Sequence, residues 1–340
     1  MRKGLALLLL LLLPVWAAAE MPSGPELSIA WRGLTDAQHG LFTVLYEAIA
    51  AGKTEITFDT PADYDDVSAV MRVLWQDFPE LCGLGSGWSV SYYRNSPEKA
   101  LGVSVSYSYE ETASRREALL AEAERMLADL PEDALSRELR IYDLLRERVT
   151  YGDGGTGAHE AAGALLEGRA VCEGYAEAMV LLCRLAGIPC SVLTGTATQQ
   201  GVSERHAWVL LELDGVYTQA DPTWDDTGDL PLYDFLNLSD GMLSGTHRRD
   251  GDSLLLPSCD SEELCWHTIS GNLAPTGGSL RGFLHEKRQE LEREGVLRLR
   301  FADEADRQTA LDFFSRSLSF TWYGDESGRC LTLFAGTEEK

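Results

Sequence analysis

Apolar positions recur along much of this chain at helical or strand spacing, and the elements they predict fall into three groups. In the first, a helix follows Thr35, with Leu41, Val44, Leu45 and Ile49 on its inner face and Gly52 near its stop. A second helix follows the Thr60-Pro61 start, buries Val67, Val70, Met71 and Leu74, and stops around Pro79. Alternating runs at 88–93 and 103–109 predict a pair of strands, whose Trp and Tyr residues are the kind that half-buried strands favour. Between Glu110 and Thr150 two amphipathic helices are separated by Leu130-Pro131, their many charges forming solvated outer faces. The last group is a charged helix over 281–294, a strand over 296–301, a helix over 303–318 and a hairpin through 320–323 and 331–334.

Between these groups, from Ala161 to Asp226, the composition turns small and apolar. In GRAVCEGYAEAMVLLCRLAGIPC, Cys172 falls where a loop gives way to a helix that is apolar nearly all round and ends at Gly187, with Ile188-Pro189 preventing its continuation. Free backbone N–H groups and the positive end of the helix dipole stabilise a thiolate at such a position. Taken alone, the segment fits a nucleophile or a buried core thiol like Cys183 equally well.

RHAWVLLELDGVYTQADPTWDD supplies what Cys172 lacks. Asp214-Gly215 is a two-residue hairpin signal, so Leu213 pairs with Val216 and the register follows. Counting outward, Trp208 faces Asp221 and His206 faces Thr223, which makes His206 and Asp221 diagonal neighbours on one face, within about 7–8 Å between backbones. A one-residue slip would put them on opposite faces. His39, His159, His247, His267 and His285 have no partner at a useful spacing and read as surface or packing residues.

The chain has 340 residues, and its start, MRKGLALLLLLLLPVWAAA, has the basic, apolar and small-residue parts of a cleavable export signal, with cleavage expected after Ala19. Removing Arg2 and Lys3 from the 29 basic residues leaves 27 against 54 acidic ones, a net charge of −27. Such a surface repels nucleic acid and anionic lipid, which excludes both as main partners. The expected location is secreted or extracytoplasmic, with no membrane association after signal cleavage.

Seven cysteines leave at least one thiol over, expected to be Cys172. Cys259 and Cys265 are close enough for a local bridge, Cys183 and Cys190 suit buried thiols, and the pairing of these with Cys82 and Cys330 stays open. Cys259, Cys265 and His267 lack a fourth zinc ligand at a regular spacing, and Asp225, Asp226 and Asp229 lack the alternation of a calcium loop and read as a solvated acidic stretch. No metal and no cofactor is expected.

At these residues the chain resembles the transglutaminase-like superfamily, over roughly 144–259 and most strongly in AVCEGYAEAMVLLCRLAGIPC, HAWVLLELDGVYTQADPTWDD and FLNLSD. The resemblance implies an α+β fold with a papain-like core, a helix presenting Cys172 against an antiparallel sheet presenting His206 and Asp221. It makes Cys172 the nucleophile, His206 the base and Asp221 the orienting carboxylate. It further suggests Tyr151 as an aid to an oxyanion site, with Tyr175, Trp208 and Trp224 packed around the centre. The organisation expected is a signal peptide at 1–19, an N-terminal α+β module at 20–109, a catalytic domain at 110–278 and a C-terminal α+β module at 279–340. The function implied is thiol chemistry on peptide or protein amides through a thioester. The alternative is a surface binding or scaffolding module that keeps the fold without turnover.

Overall fold

The computed structural model describes residues 21–83, 87–106, 109–153, 157–199, 201–226, 232–316, 318–324 and 328–336. The predicted leader, Asp229 and part of the Gly-rich stretch 151–157 lie outside them. No helix among the described residues is long and apolar enough to cross a membrane.

Helix and sheet are mixed throughout. The N-terminal elements are α1 (Ile29–Arg32), α2 (Asp36–Ala50), β1 (Glu55–Asp63), α3 (Tyr64–Asp77), β2 (Trp88–Tyr93) and β3 (Ser96–Val105). Thr35 caps α2 as expected, with a reciprocal bond from Gln38 that satisfies two otherwise orphaned N–H groups. The predicted start of α3 is wrong: Thr60 and Pro61 lie in β1, and the helix begins only at Tyr64. Pro61 has no N–H for the ladder, and the β1–β3 register shifts between Thr57 and Ala62, so the strand survives the proline by an irregularity. The second predicted strand also starts earlier, at Ser96, while Tyr109 opens the next helix. Antiparallel order β1-β3-β2 covers a core of residues such as Phe42, Leu45, Val70 and Leu74.

Next come α4 (Tyr109–Met126), α5 (Ala134–Arg148), the short parallel pair β4 (Thr150–Tyr151) and β5 (Arg169–Ala170), then α6 (Cys172–Leu185). After α6 follow β6 (Cys190–Gln199), β7 (Val202–Leu213) and β8 (Val216–Ala220). Every residue of α6 from Gly174 to Arg184 is buried, and the helix packs on β6, β7 and α5. Each fully buried Val, Leu or Met there contributes about 1.5–3 kcal/mol, which makes α6 the rigid centre of the structure. Cys183 and Cys190 are buried thiols at this centre, as expected.

The stretch after residue 226 contains α7 (Asp240–Leu243), β9 (His247–Arg249) and α8 (Trp266–Ile269). Strand β9 completes a sheet of order β8-β7-β6-β9 by pairing with the outer edge of β6. Its close approach needs Gly195, because a Cβ there would collide with the Arg248 carbonyl oxygen and the Trp208 ring. The C-terminal elements follow the sequence pattern closely: α9 (Leu280–Glu294), β10 (Val296–Arg300), α10 (Glu304–Ser315), β11 (Phe320–Gly324) and β12 (Cys330–Ala335). Their antiparallel sheet, ordered β10-β12-β11, encloses a third core around Leu291, Leu299, Phe314 and Leu333.

Polar anchors join the N-terminal elements to the centre. Asp77, at the end of α3, accepts bonds of 2.5 Å from Ser28 and Ser191 hydroxyls and of 2.9 Å from the Val192 N–H. Arg184 of α6 donates to the Asp77 carbonyl oxygen, sits 3.6 Å from the Glu80 carboxylate with both side chains fully buried, and covers the Phe78 ring at 4.0 Å.

Candidate active site

The β7–β8 hairpin turns at Asp214 and Gly215 with φ of 51° and 83°, the left-handed pair that a tight hairpin turn requires. Leu213 pairs with Val216, and the ladder runs to Val209 opposite Ala220, the register read from the sequence. Asp221 therefore follows opposite Trp208. Its Oδ2 lies 2.7 Å from His206 Nε2.

Asp221 is buried, and its second oxygen accepts bonds from the backbone N–H groups of Thr223 (3.0 Å) and Trp224 (3.3 Å). Burial alone would raise its pKa; the charge and hydrogen bonds of His206, joined by a bond from His247, outweigh that and hold the carboxyl below its usual value. Burial would lower the pKa of His206. The Asp221 carboxylate and the sulfur of Cys172 act more strongly in the other direction and raise it to about 10.

Cys172 is the first residue of α6, and its side chain shares one cleft lining with His206, whose charged form it favours. Since Asp221 engages Nε2, the ring nitrogen left for the sulfur is Nδ1. All seven cysteines are free thiols, and Cys172 alone among them is not buried. Cys259 and Cys265 form no bridge and sit in different apolar clusters, which also separates them as common metal ligands.

These groups open on a cleft of about 640 Å³ whose lining includes Tyr151, Cys172, Glu204, His206, Trp224 and Tyr323. Tyr323 comes from β11, so the C-terminal elements form part of the wall. Tyr151 is 55 % exposed. Burial, and then the charge of nearby Cys172 on the same cleft lining, raise its phenol above the ordinary value. Tyr175 is buried, and its hydroxyl donates to Asp226, which also accepts the Tyr151 N–H at 3.2 Å. Trp208 and Trp224 flank the His206 ring at 6.0 and 5.9 Å.

Two sequence readings need correction. Asp225 is not part of a solvated acidic stretch: it is buried and accepts bonds from the Tyr142 hydroxyl (2.6 Å) and from the N–H groups of Asp234 and Phe235 (3.0 Å each). A carboxylate that folds its own loop inward is a structural anchor. The second is His247, expected at the surface or in simple packing. It is buried, and its Nε2 lies 3.0 Å from the same Asp221 oxygen that His206 uses. Among the others, His267 is buried 3.2 Å from Asp234, His159 pairs with Glu173 at 3.0 Å and His39 stacks on Trp31.

Among the described residues two groups hold enough converging donors for a metal ion, His206 with Asp221 and His247, and Asp234 with His267 and Cys330. In the first, hydrogen bonds between imidazole and carboxylate account for the spacing. In the second, Arg300 donates to the Cys330 sulfur at 3.2 Å and already supplies positive charge.

Residues 122–222 match the family model of the transglutaminase-like superfamily, a segment that includes Cys172, His206 and Asp221. No curated protein matches the chain. Among solved structures it is similar to "a Putative Cysteine Protease from Cytophaga hutchinsonii", with 16% identity, 40% of this chain and 61% of that one covered, and a TM-score of 0.28. It is also similar to "a TGase", with 12% identity, 52% of each chain and a TM-score of 0.30. A third, "a putative protease from Parabacteroides distasonis", has 12% identity over 38% of this chain and 29% of its own, with a TM-score of 0.24. The chain thus spans less than two thirds of each of these structures.

Proposed function

We propose that this chain, whose residues 122–222 are a transglutaminase-like domain, is an exported cysteine-nucleophile enzyme acting on peptide or protein amides through a thioester. The observation that carries the reading is the His206–Asp221 bond of 2.7 Å beside the sulfur of Cys172, in an open cleft. A papain-like arrangement of α6 against the β7–β8 hairpin supplies the nucleophile from a helix start and the base from a strand.

In this mechanism His206 Nδ1 takes the Cys172 thiol proton, giving a thiolate and an imidazolium that Asp221 steadies. The thiolate attacks the amide carbonyl carbon; the S–C bond forms as the carbonyl π electrons move to oxygen. The Cys172 N–H, at the first helical position and so without an intrahelical acceptor, stabilises that oxyanion, aided by Tyr151. As the oxyanion collapses, the C–N bond breaks and Nδ1–H gives its proton to the leaving amine. Water or a second amine then attacks the thioester, giving its proton to Nδ1 while the C–S bond breaks. Water makes the enzyme a peptidase or deamidase, and an amine makes it a cross-linker.

The test is turnover on a peptide library and on pairs of glutamine donor and amine acceptor, beside a Cys172→Ala control. Product formed by the wild type and lost in the variant is the expected result, and the nucleophile that appears in the product separates hydrolysis from transfer. Substrates bound equally by both proteins without product would favour the non-catalytic binding module instead.

A further inference from the structure

Asp221 Oδ2 carries two imidazoles, His206 at 2.7 Å and His247 at 3.0 Å, and the second has no part in the mechanism above. Thr246 Oγ1 lies 2.9 Å from His247 Nδ1 and 3.2 Å from the Leu243 carbonyl oxygen. A threonine hydroxyl has one proton to give. Given to Nδ1, it selects the neutral ring with hydrogen on Nε2; given to Leu243, it obliges Nδ1 to carry its own hydrogen, and a ring facing a carboxylate is then an imidazolium. In both cases Nε2–H points at Asp221 and donates.

We infer that His247 is a positioning residue: by donating to Asp221 Oδ2 it fixes the carboxylate that orients His206 and limits how strongly that carboxylate holds the imidazolium. The inference rests on the functional reading above. With Oδ1 tied to the N–H groups of Thr223 and Trp224 and Oδ2 tied to His247, the carboxylate cannot rotate, so its remaining lone pair is aimed at His206 Nε2. The His247 ring is itself held by Trp224 at 4.5 Å and Trp208 at 5.2 Å, and its strand reaches the sheet only through the gap at Gly195. Titratable groups facing the pair are Cys172 from α6, Asp221 after β8, Tyr142 from α5 and Tyr151 from β4. Both phenols are raised above their ordinary value, mainly by burial.

Removing the His247 donor leaves more of the Asp221 charge for His206, which raises the pH at which the imidazolium loses its proton. The sign is the same whether His247 is neutral or charged. The test is the rate of iodoacetamide alkylation at Cys172 between pH 5 and 11 in the full chain. In the wild type it should rise in two steps, ion-pair formation and then loss of the His206 proton. His247→Ala should move the second step up by about one pH unit, the size of one hydrogen bond to a charged group. His247→Gln, whose amide nitrogen can replace Nε2–H, should bring it back to the wild-type position; a merely structural role would not move a proton-loss step. Should His247→Ala fail to fold, Thr246→Val removes only the hydroxyl that sets the ring and should shift the step in the same direction by less. A two-step wild-type profile on which the His247→Ala or Thr246→Val profile superimposes overturns this inference and leaves the functional reading standing. A wild type without preferential labelling of Cys172 overturns both.

Discussion

His206 Nε2 and Asp221 Oδ2 lie 2.7 Å apart although the two residues are separated by 15 positions and stand on opposite arms of a hairpin. The turn at Asp214 and Gly215 makes this meeting unavoidable once the register is set. Asp221→Asn keeps the shape and removes the charge. Alkylation of Cys172 near neutral pH should then fall at least about tenfold, since an uncharged partner no longer stabilises the imidazolium beside the thiolate. An unchanged rate would show that the carboxylate is not coupled to the sulfur.

The same pair makes stability depend on pH with a definite sign. His206 has its pKa raised from 6.5 to about 10 in the folded state. The contribution of its charge is fully present below about pH 6.5, and it is lost as pH rises from there through about 10. Urea unfolding of wild type and His206→Ala should differ most at the acid end of that window, and the difference should shrink toward pH 10.

Glu138 on α5 is wholly buried, with Asn237 donating to it at 2.7 Å, and burial raises its pKa from 4.5 to about 8. The folded state holds this proton more tightly than the unfolded one. Stability from this group is therefore present below about pH 4.5 and falls as pH rises toward 8. Glu138→Gln should flatten that dependence and raise the melting temperature at pH 8 by about 2–4 °C for each kcal/mol relieved, with little change at pH 4.5.

How much of this was legible in the chain depends on how far each residue is from its partner. The Asp214-Gly215 turn, the Thr35 cap and the elements after residue 280 follow from local spacing, and the structure places them where the pattern does. Thr60-Pro61 misleads, because proline starts helices as readily as it interrupts an irregular strand, and only the pairing of β1 with β3 decides between the two. His247 was beyond reach for a different reason. Its strand has three residues, too few to show alternation, and its partner lies 26 positions away through a stretch without periodicity. Asp225 failed likewise: an acidic run reads as solvated unless the tyrosine that meets it, 83 residues upstream, is known.

Arg184 ties α6 to the N-terminal elements through the Asp77 carbonyl, Glu80 and the Phe78 ring. Arg184→Ala leaves the Glu80 carboxylate buried without its counter-charge and should cost about 3–5 kcal/mol in chemical unfolding. Replacing Arg184 and Glu80 together by Met and Gln should recover much of that loss. A single variant as stable as the wild type would mean that the buried pair holds nothing together.

The central claim, that Cys172 is activated by an imidazole held on Asp221, is tested most directly by mapping which of the seven cysteines a thiol alkylator reaches first at neutral pH, in wild type and in His206→Ala. The account predicts that Cys172 labels well ahead of the six buried thiols and that His206→Ala slows it at least about tenfold while the others are unaffected. A Cys172 that labels no faster than an ordinary exposed thiol, or equally fast without His206, would contradict it.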